Sequence, residues 1–341
     1  MRRKLYHTLI PWDKLKPRKK SLPKPAVPSS QQLSSSTAPT TSGNSTGTSS
    51  SSPLARRRRR PCRVYSITGG LVPYEDAWIW QQRLLHERMA WQRQDHHVEG
   101  HDVLLLLEHR SVYTLGRGST LDNLRFNPAD SICQHEVRRT DRGGEVTWHG
   151  PGQLIGYPVL DLNYHKKDLH WYLRQLEEVV IRVLARYGLK GEREAEHTGV
   201  WVEGAKIAAI GLNASRWITS HGFALNIHPD LAAFESIVPC GIHGRPVTRL
   251  CNYSHDLIHD LGKPPTSQLT ARECAELVST VREEVLHGFG RVFGLDMEIL
   301  EIDVGVRRGV ESQIFPEACD QRLRERLKAD SRRQLELVRR R

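Results

Sequence analysis

The sequence predicts an α+β domain, and two patterns support that expectation. Strand-like and helix-like segments follow one another without regular β–α–β alternation. Three consecutive β-patterned stretches, at 199–202, 206–213 and 217–227, also read as an antiparallel meander. In chain order, residues 63–68 form a short β-rich run, and 74–88 place Ala77, Trp78, Leu84 and Leu85 near helical spacing. The run 103–107 is continuously apolar but too short for a typical helix, and 112–115 is a second β-rich stretch ending at Gly116. Both are expected as buried strands. From 168 to 187, Leu169, Tyr172, Leu173, Leu176, Val180, Val183, Leu184 and Tyr187 mark one helical face, with Asp168 suited to cap its start and Gly188 to stop it. Thr270 and Glu273 form a capping-box pattern that opens a helix running to about residue 292, and 297–302 returns to strand. The charged stretch from Cys319 onward is expected as a solvated helix.

Charge divides the chain. The 341 residues carry a formal net charge of +11. The first 60 hold 14 Lys and Arg against the single acid Asp13, which leaves residues 61–341 with a net −2. A positive charge confined to the leader does not supply the cationic face that phosphate binding needs, so no nucleic-acid partner is expected. Residues 28–53 are dominated by Ser, Thr and Gly and bury too little apolar surface to offset the entropy of ordering. Arg-rich, Ser-rich and nearly free of acids, the leader reads as a mitochondrial presequence for matrix import; a basic tail on a cytosolic protein is the competing reading. No early apolar run has the length of a secretory core or a membrane span, and no membrane partner is expected. Six cysteines, at 62, 133, 240, 251, 274 and 319, include no CxxC, which argues against a disulfide framework or a structural zinc site and suits a reducing compartment. The chain is therefore expected as a leader 1–60, one folded domain 61–305 and a charged extension 306–341.

The densest chemistry lies at 141–153, DRGGEVTWHGPGQ, which packs four glycines, a proline, an arginine and a histidine between two β-like segments. Glycines let backbone approach a ligand closely, so this reads as a functional loop; without a following GKT or GKS it is not a phosphate-binding P-loop. Spacing alone does not name its ligand. Arg142 either orients the loop or touches substrate, and His149 and His221 either line a site or serve as structural hydrogen-bonders. A lone lysine in a strand pattern, such as Lys206, ordinarily faces solvent, and a buried cysteine is ordinarily a small inert hydrophobe, as Cys133, Cys251 and Cys274 are read here.

Residues 142–158, RGGEVTWHGPGQLIGYP, resemble the RGGxxTYHGPGQ signature of the octanoyltransferases of lipoate biosynthesis, with Trp148 where that family usually has Tyr. KIAAIG at 206–211 followed by SHGFALN at 220–226 resembles a second pair of family segments, and PCGI at 239–242 with Val247 and Thr248 a third. VYTLGR at 112–117 is a weaker match. Together the matches span residues 63–255 in the family's order.

That resemblance implies the catalytic fold shared with biotin and lipoate protein ligases, a mixed or antiparallel sheet flanked by helices. It implies transfer of an octanoyl group from octanoyl-acyl carrier protein to the lysine of lipoyl domains, those of 2-oxoacid dehydrogenase complexes and of the glycine cleavage H protein. Cys240 would carry the acyl group as a thioester and Lys206 would assist. A free thiol titrates near ~8.5 and is a minority thiolate at neutral pH, so a neighbouring ammonium would raise the reactive fraction. Each transfer passes through a tetrahedral oxyanion, which preorganised N–H donors stabilise. The acyl-binding segments map onto Arg142, Gly143, Gly144, Glu145, Val146, Thr147, Trp148 and His149; onto Ala209, Ile210 and Gly211; and onto Gly222, Phe223 and Ala224. No metal, ATP or other cofactor is expected, the donor being the phosphopantetheine thioester itself. An ATP-dependent lipoate ligase on the same fold, or a non-catalytic carrier-docking protein, are the rivals. The cysteine of PCGI speaks against the first, and the presence of both Cys240 and Lys206 against the second.

Overall fold

Leucines fill four successive positions of the run 102–107 and leave it no polar face, and the architecture accommodates this by covering that strand on both sides. The computed structural model describes residues 59–93, 102–128, 135–253 and 269–304. The expectations for most of the leader, for the C-terminal extension and for Cys133 lie outside the described residues. Strand β1 (Arg60–Thr68) leads through helix α1 (Tyr74–Arg93) into β2 (Asp102–Leu107), which pairs parallel to it with Val64 opposite Leu104. The other face-sharing strands are β6 (Gln153–Val159), β7 (Val200–Val202), β8 (Ala205–Ser215), β9 (Ile218–Asn226) and β10 (Leu295–Asp303). They form one mixed sheet in the order β10-β1-β2-β6-β9-β8-β7, with β10 parallel to β1 and each contact from β2 to β7 antiparallel. The expected meander is thus β7-β8-β9.

Alternation along the strands sorts the core into two faces. Leu104, Leu106, Leu154, Phe223 and Leu225 join α2 (Leu169–Ala185) and α4 (Ala271–Phe293) on one side. Leu105, Leu107, Ile155, Tyr157 and Ala224 face α1 on the other. Asp168 caps α2 by accepting from the Trp171 amide at 3.0 Å, and both arms of the Thr270–Glu273 capping box are formed at α4.

A small second sheet, β4-β3-β5, sits beside the first: β3 (Val112–Leu115) pairs parallel with β4 (Val137–Arg139) and antiparallel with β5 (Thr147–His149). Its own core gathers Tyr113, Val146, Trp148, Ile237 and Phe234, the last from the short helix α3 (Ala232–Glu235). The glycine-rich stretch 141–153 is therefore not one loop. Its middle is a strand whose partner, β3, lies some 35 residues earlier, a pairing that local composition does not announce.

Helix α1 also runs five residues beyond the expected 88. Its last turns are tied by polar contacts, Arg88 to Asp161 at 3.6 Å and the Gln92 amide to Asp161 at 3.2 Å, which an apolar periodicity does not register. Between α1 and the sheet, His109 is fully buried; its Nδ1–H donates to Val72 O at 2.9 Å and its Nε2 accepts from the Tyr157 hydroxyl at 2.8 Å. Burial pulls this imidazole down to about 4, against the opposing pull of the Val72 carbonyl.

Two outcomes follow from these contacts. A methyl group at Gly156 would overlap the buried Phe223 ring on the neighbouring strand, so Gly156→Ala should lower stability by about 1–3 kcal/mol, read as a lower urea midpoint at unchanged slope. Because His109 stays neutral in the fold to about pH 4 while the unfolded chain takes up its proton near 6.5, its neutrality favours folding above 6.5 and that advantage is lost as pH falls. Stability should therefore decline between pH 6.5 and 4, and His109→Asn should flatten that decline in chemical-denaturation curves; an unchanged slope would remove His109 from the account.

Candidate active site

Cys240 sits in a tight turn, Pro239–Gly241, with φ 58° and ψ 18°, a left-handed conformation uncommon for a residue with a Cβ. The turn is held on both sides: the Cys240 amide donates to Val146 O at 2.8 Å, and the Ile242 amide to Pro239 O at 3.1 Å. The thiol stays half-exposed. Facing it, Lys206 is the second residue of β8 and is buried, and its Nζ donates to Cys240 Sγ at 3.2 Å. Three features aim that side chain. Its backbone is clamped to the segment after Cys240, Lys206 N to Pro246 O and Thr248 N to Lys206 O, each at 2.9 Å. Its ammonium lies 5.3 Å from the centre of the Trp201 ring. Gly199, at φ 133°, leaves room for the stem, since a Cβ there would stand 2.6 Å from Lys206 Cε.

Around this pair opens a cavity of roughly 190 Å³. Its floor is the β8–β9 ladder, where Ala209 pairs with Ala224 and Gly211 with Gly222, so two cross-strand pairs contribute almost no side chain. Ile210 and Phe223 border it as well, the Phe223 ring packing into the main core. The roof is the first half of the glycine-rich stretch, Arg142 to Glu145, seated on the sheet by the Gly143 amide donating to Leu212 O at 2.9 Å. Asp141 pins the same loop from behind, accepting from His221 Nε2 and Asn213 Nδ2, each at 2.7 Å. Burial alone would raise the Asp141 carboxyl, but these partners pull it down to about 2.

The Arg142 guanidinium points inward, donating to Thr114 O at 2.8 Å and Thr114 Oγ1 at 2.9 Å. Burial lowers its proton affinity, opposed by Tyr74 and Cys240 among its neighbours. Thr147 and His149 follow on β5 and face the cavity. Burial, with His109 adding to it, pulls His149 down to about 3, so this ring is a neutral hydrogen-bonder in the site.

Fourteen of the residues expected at the site line this one cavity: Arg142 to Glu145, Thr147, His149, Lys206, Ala209, Ile210, Gly211, Gly222, Phe223, Ala224 and Cys240. Val146 and Trp148 do not. The two-residue period of β5 that turns Thr147 and His149 inward sends both into the second core, where the Trp148 indole donates to Ser111 Oγ at 2.9 Å and meets Phe234 edge-on. Trp148, the departure from the family signature, is therefore a packing residue. His221, left open by the sequence, also lines the cavity. Tyr74 from α1, Tyr157 from β6, Ile242 and the segment 196–198 line it too and were not foreseen; only Ile242 and Tyr157 fall inside the quoted family matches.

Residues 73–264 match the family described as the lipoyl protein ligase A/B catalytic domain. An octanoyltransferase of Nostoc sp. (strain PCC 7120) is 49% identical over 236 residues, covering 69% of this chain and 94% of the relative. One from Gloeobacter violaceus is 49% identical, covering 72% and 99%, and the chloroplastic octanoyltransferase LIP2p2 of Arabidopsis thaliana is 44% identical, covering 70% and 81%. A lipoate-protein ligase A bound with ATP shares the fold at TM-score 0.51 and 15% identity, over 77% of this chain and 95% of that one. With nearly half of its aligned residues shared with these proteins and a bare-floored cavity opening beside Cys240 and Lys206, the chain belongs to the octanoyltransferases of the lipoyl protein ligase A/B family.

Proposed function

We propose that this octanoyltransferase works through an acyl-enzyme on Cys240, with Lys206 moving the protons. The observation behind the proposal is the 3.2 Å contact between Lys206 Nζ and Cys240 Sγ at the edge of a cavity floored by Ala209, Gly211, Gly222 and Ala224. A cationic donor at that distance stabilises negative charge on sulfur. In the first half-reaction the Cys240 thiolate attacks the carbonyl of octanoyl-acyl carrier protein; the donor's C–S bond breaks as the new one forms. Lys206 gives its proton to the departing phosphopantetheine thiolate. In the second, the amine of a lipoyl-domain lysine attacks the acyl-enzyme. The amide forms, the Cys240 sulfur leaves as thiolate, and Lys206 recovers a proton from the attacking nitrogen. The apolar chain meanwhile lies on the floor, where each buried methylene contributes about 0.8 kcal/mol.

Exchange of one thioester for another is near neutral and the amide is more stable, so the sequence of steps needs neither ATP nor metal. The lipoyl domains of 2-oxoacid dehydrogenase complexes and the glycine cleavage H protein are the proposed acceptors. For the compartment, the basic, acid-poor leader favours the mitochondrial matrix. The chloroplastic name of the Arabidopsis relative favours a plastid as the second reading.

Incubation with octanoyl-acyl carrier protein in the absence of ATP should yield, by intact mass, one hydroxylamine-labile octanoyl adduct. Cys240→Ala should lose both adduct and transfer; a Cys240→Ala protein that still octanoylates a lipoyl domain at the normal rate sinks the mechanism. A reporter fused to residues 1–60 should enter mitochondria, whereas accumulation in plastids or the cytosol would overturn the matrix assignment.

A further inference from the structure

The sequence motifs contain more polar residues than the proposed chemistry uses. Gln153 ends the first, Asn226 the second, and Thr248 belongs to the third, yet none of the three lines the cavity. All are buried, and in the fold they become consecutive links of one hydrogen-bonded chain.

The chain starts at the cation under the roof. Arg142 Nη2 donates to Thr114 Oγ1 at 2.9 Å, and the Thr114 hydroxyl donates to His149 Nε2 at 3.3 Å. His149 Nδ1–H donates to Gln153 Oε1 at 2.7 Å, and Gln153 Nε2 donates to Asn226 Oδ1 at 2.8 Å. Asn226 Nδ2 donates to Thr248 O at 2.9 Å, and the Thr248 amide donates to Lys206 O at 2.9 Å. Every link donates in the same direction, from the guanidinium to the carbonyl of the lysine that faces Cys240. Bonds aligned in one sense polarise one another as far as the Thr248 carbonyl; the Thr248 amide belongs to the preceding peptide group, so the step on to Lys206 is mechanical, through the Thr248 backbone. The alignment also requires the proton of a neutral His149 to sit on Nδ1.

We propose that Gln153 and Asn226 are positioning residues for Lys206. The segment 239–248 bears Cys240 at one end and, at the other, the Pro246 and Thr248 groups that clamp the Lys206 backbone. Asn226 ties that second end to β9, and Gln153 ties Asn226 to β6 and to the cavity wall. The pair thereby sets the register between the strand carrying the lysine and the segment carrying the sulfur. Losing it leaves the cavity intact and lets Nζ drift from Sγ. The inference rests on the roles proposed for Cys240 and Lys206.

The test uses two isosteric substitutions in the full chain. Asn226→Asp keeps its acceptor toward Gln153 but turns a second oxygen on the Thr248 carbonyl. Gln153→Glu keeps its acceptor toward His149 but forces the Asn226 amide to flip, which breaks the same bond from Asn226 to the Thr248 carbonyl. A misplacement of an ångström can change a rate ~10²-fold, so both variants should lower kcat about tenfold or more with KM for octanoyl-acyl carrier protein within about twofold. Alkylation of Cys240 by iodoacetamide at pH 7, followed by peptide mass, should slow, because the sulfur loses its ammonium partner. Simple loosening of the fold would instead speed it. Should Asn226→Asp fail to fold, Gln153→Glu bears the test alone. Values of kcat within about twofold of the parent in the folded variants, an effect confined to KM, or faster alkylation would overturn the positioning role. Lys206→Met, run alongside, separates the two layers: if it retains activity the proposed mechanism fails, and if it is inactive while both relay variants are normal, only this inference fails.

Discussion

A nitrogen and a sulfur must meet, although 34 residues separate them and they lie on structures of different kinds. Lys206 belongs to a strand of the main sheet, and Cys240 to a turn whose backbone is bonded to the segment entering the second sheet. A thiol lacking such a partner is a poor nucleophile at neutral pH, and a lysine at the start of a strand would otherwise be solvated. Most of the local structure around the cavity is arranged about this contact. The left-handed Cys240, the bare Gly199, the Trp201 ring beneath the ammonium and the backbone clamp at 246–248 each remove one freedom that would separate the pair.

The cavity itself is asymmetric for a physical reason. A sheet that is to hold an apolar chain on its surface must give up side chains, and β8 and β9 do so in two cross-strand pairs, one on either side of the Ile210–Phe223 pair. The space so gained is bordered by two polar side chains that are already paired, Arg142 on Thr114 and His149 on Gln153, while Asp141 holds the roof loop from behind on His221 and Asn213. Polar walls of this kind hold their shape without competing for the ligand, because their donors and acceptors are satisfied within the protein. Neutral His149 fits that role better than the role of a base, since burial lowers its proton affinity too far for it to hold a proton at physiological pH.

Much of the fold was legible in the residues. The face formed by Tyr172, Leu176, Val180, Val183 and Leu184 is the buried stripe of α2, and the Thr270–Glu273 pair does cap α4. The run 103–107 is a strand covered on both faces. The misreadings share one cause. Strand β5 lies inside a glycine-rich segment and exists because β3 offers it a partner, and the end of α1 is stabilised by Asp161, some seventy residues away. Val146 and Trp148 were assigned to the site with their neighbours because a motif is contiguous, whereas a strand gives alternate residues to opposite sides.

Local pattern was thus enough for the α+β class and its principal helices and strands, and the resemblance carried by the ordered motifs pointed to the family and to Cys240 and Lys206. Periodicity and capping act over a few residues, and they are written into adjacent positions. Which motif residues face the cavity, the participation of Tyr74 and Tyr157, and the union of Arg142, His149, Gln153, Asn226 and Thr248 into one chain ending at Lys206 were decided by the tertiary structure. Those relations depend on register between strands and on hydrogen bonds that, apart from the short step from His149 to Gln153, span 22 to 73 positions, and such distances have no signature in the neighbouring sequence.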